Sequence, residues 1–487
     1  MKRTATPSLS LSIIPIAFLL ITLVVIIAVT GASAVQDYSY YILGASAAVS
    51  IGLGCIFTRR GKCLLPGLMK SARQIMPAVP ILIFIGTLSA TWMLSGVVPA
   101  LIDYGLLLLE PKTFLFIACL MCAIISVITG SSWTTIATIG VALMGVGAVM
   151  GYHPGWIAGA IISGAYFGDK VSPLSDTTVL AASTCGVPLT THIRYLMLTS
   201  APAMSIALAV YLIVGYCSDI TATSHAHEII YAIHSTFNIT PWVLIIPALT
   251  IILIISRIGT AWTLAVGSLA GLVGIWIFQP QIAHSISGGA TDAYSTLATS
   301  LKVLCTSTDI STGNTLLDPL VSTSGIEGML PTIYLVLSAM IFGGAMIGTG
   351  MLGTITHAIT SRISRSRSLI SATVGSGLFL NSCTGDQYLS IIIGANLYKN
   401  TYRRQAMKPQ ALSRTLEDSI SVTSVLIPWN SCGVTQSTVL GVATLVYFPF
   451  CLFNILSPVM TIIMAWTGWR IHIPSTTIPA TRLQISK

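Results

Sequence analysis

Apolar runs long enough to cross a bilayer recur along the chain, and they constrain its fold more than any other feature. A helix needs about 20 apolar residues to cross the hydrocarbon core. Only 8% of the 487 residues are charged, against roughly 25% in soluble proteins. With a mean hydropathy of +0.87, this composition excludes a soluble enzyme, a nucleic-acid-binding protein and a disordered scaffold. The sequence predicts an all-α, polytopic membrane protein in contact with lipid.

Several runs have the length of a complete membrane-spanning helix. They lie at about 9–30, 38–57, 74–96, 195–216, 241–256, 260–279, 329–350 and 438–466. Lys2, Arg3 and the first run, followed by Ala32-Ser33-Ala34, resemble a secretory signal. The length of the run and the spans that follow it favour an uncleaved helix. The ten Cys show no paired or metal-binding spacing, so neither a disulfide framework nor a bound cofactor is predicted.

Four further apolar regions are interrupted midway by Gly, Ser, Thr and charged residues. Non-helical backbone at membrane depth is tolerated only where it is buried in protein or lines a cavity. We therefore predict two re-entrant hairpins and two broken helices near a functional site. The hairpins are 113–152 and 368–398, with tips at 129–132 and 384–387, and the broken helices are 155–188 and 412–436, interrupted at 168–176 and 414–418.

The basic residues predict how these segments are oriented, because cytoplasmic loops are enriched in Lys and Arg. With the N-terminus inside, all but four of the 23 basic residues also fall inside. The exceptions are Lys112, Lys302, Lys170 and Arg414, of which the last two lie in the broken helices. The resulting topology has about ten crossings and both termini in the cytoplasm. The first hairpin enters from outside and the second from inside.

The two halves of the chain are arranged alike. Each has a hairpin with a Thr-Gly tip, then a broken helix, then Cys-Gly-Val. The offset is 255 residues between the tips, from Thr129 to Thr384, and 247 from Cys185 to Cys432. Hairpins that open to opposite sides are typical of inverted-topology repeats in secondary transporters, whose sites lie between discontinuous helices. A channel is the alternative, although no segment resembles a selectivity filter.

These features divide the chain into five regions. They are an N-terminal two-helix segment (1–73), a first repeat (74–216), connecting helices with an external loop at 280–328 (217–328), a second repeat (329–466) and a cytoplasmic tail (467–487). No nucleotide-binding motif is present. Transport would therefore be driven by an ion gradient.

Acidic residues within the broken segments are the main functional candidates. A charge near the bilayer centre costs at least about 2.5–3.5 kcal/mol on insertion scales. Na⁺, like Ca²⁺, prefers carboxylate, hydroxyl and carbonyl oxygens, and hydroxyl residues crowd around these acids. The candidate Na⁺/H⁺ site comprises Asp169, Asp176, Asp386, Glu417 and Asp418, with Ser131, Lys170, Ser175, Thr177, Thr178, Asn381 and Thr384 beside them.

Structural roles remain open for the candidates of the first half. Ser175 or Asp176 would cap the helix that resumes at Thr177. Asp169 and Lys170 would form a charge pair. Lys170 would alternatively act as a mobile counter-charge when the ion site is empty.

The second half has its own structural alternatives. Arg414 precedes Glu417 and Asp418 by three and four residues, which is the spacing of local ion pairs on a helix. Asp386 has no basic residue nearby in the sequence. Of the candidate acids, Asp386 is therefore the one that a purely structural role explains least well.

Four motifs resemble those of the NhaC-type Na⁺/H⁺ antiporter family. They are YFGDKVSPLSDTT at 166–178, TGDQYLS at 384–390, LSRTLED at 412–418 and LIPWNSCG at 426–433. The resemblance covers most of residues 70–466 and adds Asn430 to the candidate site. It implies a multi-pass antiporter of the bacterial cytoplasmic membrane. Family relatives include Na⁺/H⁺ exchangers, malate/lactate exchangers and amino-acid transporters, so cation coupling is implied more firmly than the cargo.

Three positions depart from the pattern that the resemblance implies. Val179 stands where Asn is expected after Asp-Thr-Thr, which removes one amide oxygen. Ile420 and Val425 stand where a helix-breaking Gly and Pro are expected. These changes affect the expected ion coordination and cargo more than the fold.

The leading hypothesis is secondary active exchange of Na⁺ for H⁺, with one carboxylate binding either ion. The first alternative is a Na⁺- or H⁺-coupled transporter of an organic anion or amino acid. In that case Ser131, Ser132, Thr384 and the adjacent helix N-termini would hold a carboxylate. The second alternative is a channel or a non-transporting scaffold. A homo-oligomer is compatible with each of these hypotheses.

Overall fold

The computed structural model describes residues 7–30, 35–58, 61–76, 78–218, 224–256, 258–289, 292–310, 321–360 and 366–468. Within these ranges the regular structure is helical, apart from one antiparallel bridge between Thr308 and Thr323. The prediction of an all-α protein is confirmed. Nearly all of the predicted cytoplasmic tail, 467–487, lies outside the described residues.

The helices follow the predicted regions. The N-terminal region has helices at Leu9–Thr30, Val35–Thr58 and Gly61–Ile75. The first half has Ala78–Leu94, Val97–Leu108, Phe114–Thr129, Ser132–Thr135, Val141–Val149, Pro154–Val171, Asp176–Cys185 and Leu189–Cys217. The connecting region has Ser224–Thr236, Ile245–Ile255, Thr260–Phe278, Pro280–Ser287 and Ala293–Cys305. The second half has Leu330–Gly348, Met351–Thr360, Ser366–Thr384, Gln387–Arg404, Pro409–Leu416, Ser431–Leu440, Thr444–Tyr447 and Leu452–Thr467.

Seven helices within the described ranges are long and apolar enough to cross a membrane. Three further pairs of helices pass the same test together, although each pair is bent by more than 40° at a short break. Counting each bent pair as one span gives up to ten spans. This upper number equals the predicted ten crossings, but it includes both arms of the first hairpin, Pro111–Thr129 and Ser132–Val149, which were predicted to be re-entrant.

The predicted span at 438–466 is wrong. A helix ends at Leu440, and the chain bends by 89° between Ser431–Leu440 and Thr444–Phe450. A new helix then runs over Leu452–Thr467. The bend occurs because Gly441 adopts a left-handed conformation with φ of 65°, which ends the preceding helix.

The first hairpin consists of Phe114–Thr129 and a returning helix from Ser132 to Val149 that contains a π-helical turn. Its first arm packs along Pro154–Val171, the first part of the first broken helix. Glycine permits this close approach, because a Cβ at Gly164 would lie 2.0 Å from the carbonyl oxygen of Cys119. Small residues at such contacts are typical of helix packing in membranes.

The first broken helix comprises Pro154–Val171 and Asp176–Cys185. We predicted an interruption at 168–176, but Gly168, Asp169 and Lys170 still belong to the helix. The non-helical part is 172–175, because Pro173 disfavours helical backbone at Ser172.

The second broken helix starts at Pro409 and continues through a π-helical turn at Glu417–Ser421. The predicted interruption at 414–418 is therefore wrong, since these residues are helical. The regular helix resumes at Ser431. Pro428 explains the position of the break, because it disfavours helical backbone at Ile427. The second hairpin, predicted at 368–398, has arms at Ser366–Thr384 and Gln387–Arg404.

The two halves repeat the same backbone features at a constant offset of 255 residues. The offset relates Pro154 to Pro409 at the start of each broken helix, and Pro173 to Pro428 within each break. It also relates Asp176–Cys185 to Ser431–Leu440, and Gly186 to Gly441 after them. The orientation of the two halves relative to a membrane stays a prediction.

The predicted equivalence of the two Cys-Gly-Val sequences is wrong. Cys185 ends a helix, with Gly186 as its left-handed C-cap. Cys432 instead lies in the first turn of Ser431–Leu440. The offset of 247 residues was a coincidence of composition, whereas the 255-residue offset between the tips extends through both broken helices.

The segment 280–328 was predicted to be a loop but contains two helices, Pro280–Ser287 and Ala293–Cys305. The second of these packs on Ala78–Leu94. Beyond it, an antiparallel bridge joins Thr308 to Thr323. Gly325 then lies close to the carbonyl oxygen of Leu304. The described part of this segment is thus attached to the helix bundle.

Candidate functional site

The tip of the first hairpin binds a carboxylate of the first broken helix. Ser131 caps the returning helix by accepting a hydrogen bond from the backbone N–H of Thr134 at 3.2 Å. The next residue, Ser132, donates from its backbone N–H and its hydroxyl to Oδ2 of Asp169, at 3.1 and 2.7 Å. Oδ1 of Asp169 is buried and has no hydrogen-bond partner among the described residues. One oxygen of this carboxylate is therefore available to a ligand.

The tip of the second hairpin carries its own carboxylate. Asp386 is only 2% exposed and caps Gln387–Arg404 by accepting from the backbone N–H of Leu389 at 2.8 Å. The hydroxyl of Thr384 accepts from the backbone N–H of Asp386 at 3.2 Å and contacts Ser390 Oγ at 2.6 Å. Asp386 thus has a capping role, which the sequence did not suggest, and its side chain combines that role with a buried charge.

Amide side chains hold the second hairpin against the second broken helix. Asn381 donates from Nδ2 to the carbonyl oxygen of Ile420 at 2.7 Å. Asn430 donates to Oδ1 of Asn381 at 3.1 Å and caps the helix that starts at Ser431. The backbone N–H of Ser431 donates to the carbonyl oxygen of Gly385 at the tip, at 2.8 Å. Asn381 and Asn430 are therefore framework residues in this conformation.

Three carboxylates from both halves lie near Tyr388, and we call them the carboxylate cluster. Tyr388 donates to Oδ2 of Asp176 at 3.0 Å, and Asp169 and Asp386 lie within electrostatic range of the same phenol. Asp176 is exposed, Asp169 is half-buried and Asp386 is buried. None of the three forms an ion pair within the described ranges. The cluster therefore concentrates negative charge where the four chain breaks meet.

Hydrogen bonds of the hydroxyl residues beside the first break hold the backbone around Asp176. Ser175 is the N-cap of Asp176–Cys185 and accepts from the backbone N–H of Thr178 at 3.5 Å. Its hydroxyl also contacts that of Thr177 at 3.1 Å. Thr178 donates from its hydroxyl to the carbonyl oxygen of Lys170 at 2.9 Å. Ser175 rather than Asp176 is thus the cap, and the Asp176 carboxylate is free for another role.

Lys170 and Asp418 form a buried ion pair between the halves. Ser457 Oγ lies 2.9 Å from both Lys170 Nζ and Asp418 Oδ1. Thr199 and Thr461 also donate to the Asp418 carboxylate. Asp169 and Lys170 therefore do not pair with each other, and the charge of Lys170 is neutralised at Asp418. Asp418 is the counter-ion of Lys170 in this conformation rather than a member of the carboxylate cluster.

Arg414 and Glu417 lie beside this pair but do not bind each other. Nε of Arg414 is 3.8 Å from Oδ2 of Asp418, and its guanidinium lies 4.8 Å from the ring centre of Tyr195. No nitrogen of the Arg414 side chain and no carboxylate oxygen of Glu417 has a hydrogen-bond partner among the described residues. Of the predicted local ion pairs, only the long Arg414–Asp418 contact forms.

Sequence reasoning missed several residues that complete these clusters. Ser132 was predicted, with Ser131, to hold a substrate carboxylate, but its contact with Asp169 was not predicted. Tyr388 lies within the motif TGDQYLS, two residues from the candidate Asp386, so the motif itself was the signal. Thr199, Ser457 and Thr461 lie in apolar helices without a break. Only the spacing of Ser457 and Thr461, four residues apart on one helix face, indicated a shared partner.

The arrangement is suited to a monovalent cation held by mixed oxygens. The described residues contain no group of three His, Cys, Asp or Glu side chains with the spacing of a metal centre. Hydroxyls and backbone carbonyls of the tips would therefore complete the coordination of a Na⁺ held by one or two of the carboxylates. The residues present fit a cargo ion of this kind.

Known proteins resemble the chain over most of its length. The Na⁺/H⁺ antiporter family matches residues 2–184 and 164–469. The Na⁺/H⁺ antiporter NhaC of Alkalihalophilus pseudofirmus is 37% identical over 388 residues, which cover 80% of this chain and 81% of that protein. NhaC of Bacillus subtilis is 33% identical, over 83% and 87% of the two chains. The malate-2H⁺/Na⁺-lactate antiporter of Bacillus subtilis is 32% identical, over 81% of each.

These matches extend across both hairpins and both broken helices, and they agree with the helical, multi-pass fold. The chain belongs to the Na⁺/H⁺ antiporter family.

Proposed function

We propose that the protein exchanges Na⁺ for H⁺ across a membrane by alternating access, with the carboxylate cluster binding either ion. The observation that carries this proposal is the placement of Asp169, Asp176 and Asp386 around Tyr388, contributed by both halves and free of ion pairs in the described ranges. The two NhaC relatives, which are named Na⁺/H⁺ antiporters, support the same function.

The chemistry follows from the cost of charge in a low-dielectric site. Burial disfavours a charged carboxylate, whereas a cation or a hydrogen-bond donor favours it. Arrival of Na⁺ therefore favours release of a bound proton, and departure of Na⁺ favours proton binding. Asp169 suits this alternation because Ser132 stabilises one oxygen while the other has no hydrogen-bond partner among the residues that the structure describes. Rocking of the two halves would expose the cluster to each side in turn.

The charge of the cluster favours a cation over an organic anion as cargo. A small carboxylate is best held by a cationic partner, and Lys170, which follows Asp169 in the chain, is already paired with Asp418. The relationship to the malate/lactate antiporter makes organic-anion exchange the second candidate function. In that case Lys170 would have to leave Asp418 and bind the substrate.

A liposome assay tests the proposal. Purified protein is sealed into liposomes with a trapped pH dye, and Na⁺ is added outside alone or together with malate, lactate or amino acids. Proton movement with Na⁺ alone supports simple exchange. Movement that requires one of the organic solutes would instead identify that solute as the cargo.

We also propose that the protein lies in a bacterial cytoplasmic membrane with both termini inside. The distribution of Lys and Arg supports this orientation, because all but four basic residues then fall on the cytoplasmic side. Reporter domains fused to the two ends would both be active in the cytoplasm. An external reporter at either end would contradict the orientation and the inverted arrangement of the repeats.

A further inference from the structure

A cavity of about 440 Å³ lies at one end of the second broken helix, away from the carboxylate cluster. Its wall includes Thr438, Leu440 and Gly441 from that helix, and Ser324 from the bridge region. None of its lining residues is charged. The carbonyl end of Ser431–Leu440 points towards the cavity, and the C-terminus of a helix carries partial negative charge. A helix end of this kind favours a cation over an anion at this side of the cavity.

One face of Ser431–Leu440 connects this cavity to the carboxylate cluster. Residues four apart share a helix face, so Cys432, Gln436 and Leu440 lie in one row. Cys432 is within electrostatic range of Asp386 and approaches Tyr166, whereas Leu440 lines the cavity. With a rise of about 1.5 Å per residue, Gln436 lies roughly 6 Å along the axis from each of the other two.

Gln436 is an unusual residue for this position. It is fully buried, and neither its amide oxygen nor its amide nitrogen has a hydrogen-bond partner within the described ranges. An unpartnered buried amide is costly, and an apolar residue of similar volume would avoid that cost. Two further buried polar atoms, Nε1 of Trp133 and the hydroxyl of Tyr166, lie beside the thiol of Cys432. Gln436 thus lies between the cavity end of the row and this polar group near the cluster.

We propose that Gln436 is a transient Na⁺ ligand on a cation path that leads from this cavity to the carboxylate cluster. The proposal rests on Na⁺/H⁺ exchange as the proposed function. An amide oxygen is a suitable ligand for a hard cation. A ligand of this kind lowers the cost of moving Na⁺ between the cavity and the cluster, but it does not contribute to the final bound state. Gln436 thus contacts the cation on the path but not in the final site.

The test compares Gln436→Leu with Gln436→Glu in the full-length protein. Equilibrium Na⁺ binding is measured by calorimetry in detergent, and Na⁺-driven proton movement is measured in liposomes at sub-saturating Na⁺. For Gln436→Leu we expect Na⁺ binding within about twofold of the wild type and transport lowered by about tenfold, whereas Gln436→Glu, which retains an oxygen, keeps most of the transport. A purely structural glutamine would tolerate leucine, since leucine removes an unsatisfied amide.

Other outcomes overturn the proposal. Wild-type transport by Gln436→Leu would show that the amide has no role in the path. Equal loss of binding and transport would place Gln436 in the final site or in the fold. Absence of Na⁺-driven proton movement in the wild type would refute the proposed function itself, which is a distinguishable failure.

A second variant keeps the proposal testable if Gln436→Leu does not fold. Ser324→Cys places a thiol at the exposed wall of the cavity. We expect a membrane-impermeant, positively charged thiol reagent to modify it faster than a negatively charged reagent of equal size, and to inhibit transport. The wild type treated in the same way controls for the native cysteines. Equal rates with both reagents, or modification without inhibition, would contradict a cation path through the cavity.

Discussion

The residue that caps the returning helix is Ser131 at the first hairpin tip and Asp386 at the second, 255 residues later. The broken helices show the reverse distribution. Asp169 of the first corresponds to Ser424 of the second, and Asp176 corresponds to Ser431. Each half thus provides acids where the other provides hydroxyls. Because the four breaks meet, the acids converge on Tyr388 from both halves without standing at equivalent positions.

The hydrogen bonds show how much of the framework the halves share. Ser126 donates to the carbonyl oxygen of Ala165 at 2.6 Å, and Asn381 donates to that of Ile420 at 2.7 Å. Ser132 contacts Asp169 in the first half, and Gln387 contacts Ser424 in the second. These pairs have the same 255-residue offset. The difference between the halves is therefore one of charge on a common backbone.

The largest expected effect on transport comes from the charged tip. Asp386→Asn keeps a side chain that caps helices well but removes the charge. Loss of one charged ligand in a buried site costs about 3 kcal/mol, or roughly 100-fold in cation binding. We expect Na⁺-driven proton movement in liposomes to fall by about this factor while the protein remains folded.

Asp292→Asn is the matched control, because Asp292 also caps a helix but is exposed and far from the cluster in sequence. It should transport like the wild type. Full exchange by Asp386→Asn would show that the two tips are equivalent scaffolds and that the acid has no part in ion binding.

The second prediction concerns the ion pair that joins non-equivalent positions of the two halves. Lys170 corresponds to Val425, and Asp418 to Ser163, so no second copy of the pair exists at the equivalent positions. Removing one partner of a buried pair costs about 3–5 kcal/mol, because the other charge is left unpaired. Lys170→Met and Asp418→Leu should each lower the free energy of unfolding by that amount, and the double variant should recover a large part.

Thermal unfolding in detergent, monitored with a thiol-reactive dye, provides the measurement for all three variants. Ser163→Ala, at the position equivalent to Asp418, is the neutral comparison. Among the described residues, the Ser163 hydroxyl forms hydrogen bonds to the uncharged groups of Tyr211 and the backbone of Phe453. Additive losses in the double variant would mean that the two charges do not depend on each other.

The sequence predicted the fold well wherever local chemistry determines the backbone. Long apolar runs predicted helices, and Thr-Gly predicted both tips. The position of the second break was predicted wrongly, because the charges at 414–418 were taken to interrupt the helix. Those charges are tolerated inside a helix, since Asp418 finds Lys170 on another element. The Pro residues at 173 and 428, two positions before an N-cap in each half, would have identified both breaks and the repeat offset.

The site was less predictable because its contacts join distant parts of the chain. Asp169, Asp176 and Asp386 were candidates, but their common neighbour Tyr388 depends on how the first break packs against the second hairpin. Likewise, the partners of Asp418 at Thr199 and Thr461 come from two different apolar helices. No local pattern encodes such contacts.

The third prediction compares the two tip glycines. Gly130 and Gly385 have φ of 67° and 66°, a region that costs a non-glycine residue roughly 1–2 kcal/mol. A Cβ at Gly130 would lie 2.7 Å from the backbone carbon of Leu174, whereas at Gly385 it would meet the Ala339 methyl at 2.5 Å. Gly130→Ala should therefore lower thermal stability more, because backbone yields less readily than a side chain.

Ala339→Gly should recover part of the loss in Gly385→Ala, since it removes the atom that the new methyl contacts. No single side-chain deletion offers the same relief to Gly130→Ala. Equal stabilities of the two alanine variants, measured by thermal unfolding, would show that both tips accommodate an added methyl group equally well.

The smallest expected effect on transport distinguishes the two equivalent hydrogen bonds next to the tips. Ser132 donates to a carboxylate, and a hydrogen bond to a charged group is worth about 1.5–3 kcal/mol. Part of that energy favours the charged, Na⁺-binding form of Asp169 over its protonated form. Ser132→Ala should therefore raise the half-saturating Na⁺ concentration for proton movement by about tenfold.

Ser424→Ala provides the matched comparison, because the Ser424 hydroxyl contacts a neutral partner, Oε1 of Gln387, at 3.3 Å. Its half-saturating Na⁺ concentration should change by no more than about twofold, since no charged form gains or loses a donor. A dose–response series in the same liposomes measures both variants. If Ser424→Ala weakened Na⁺ binding as strongly as Ser132→Ala, the second broken helix would contribute ligands of its own. Ion binding would then depend on the shared framework rather than on the uneven placement of the acids.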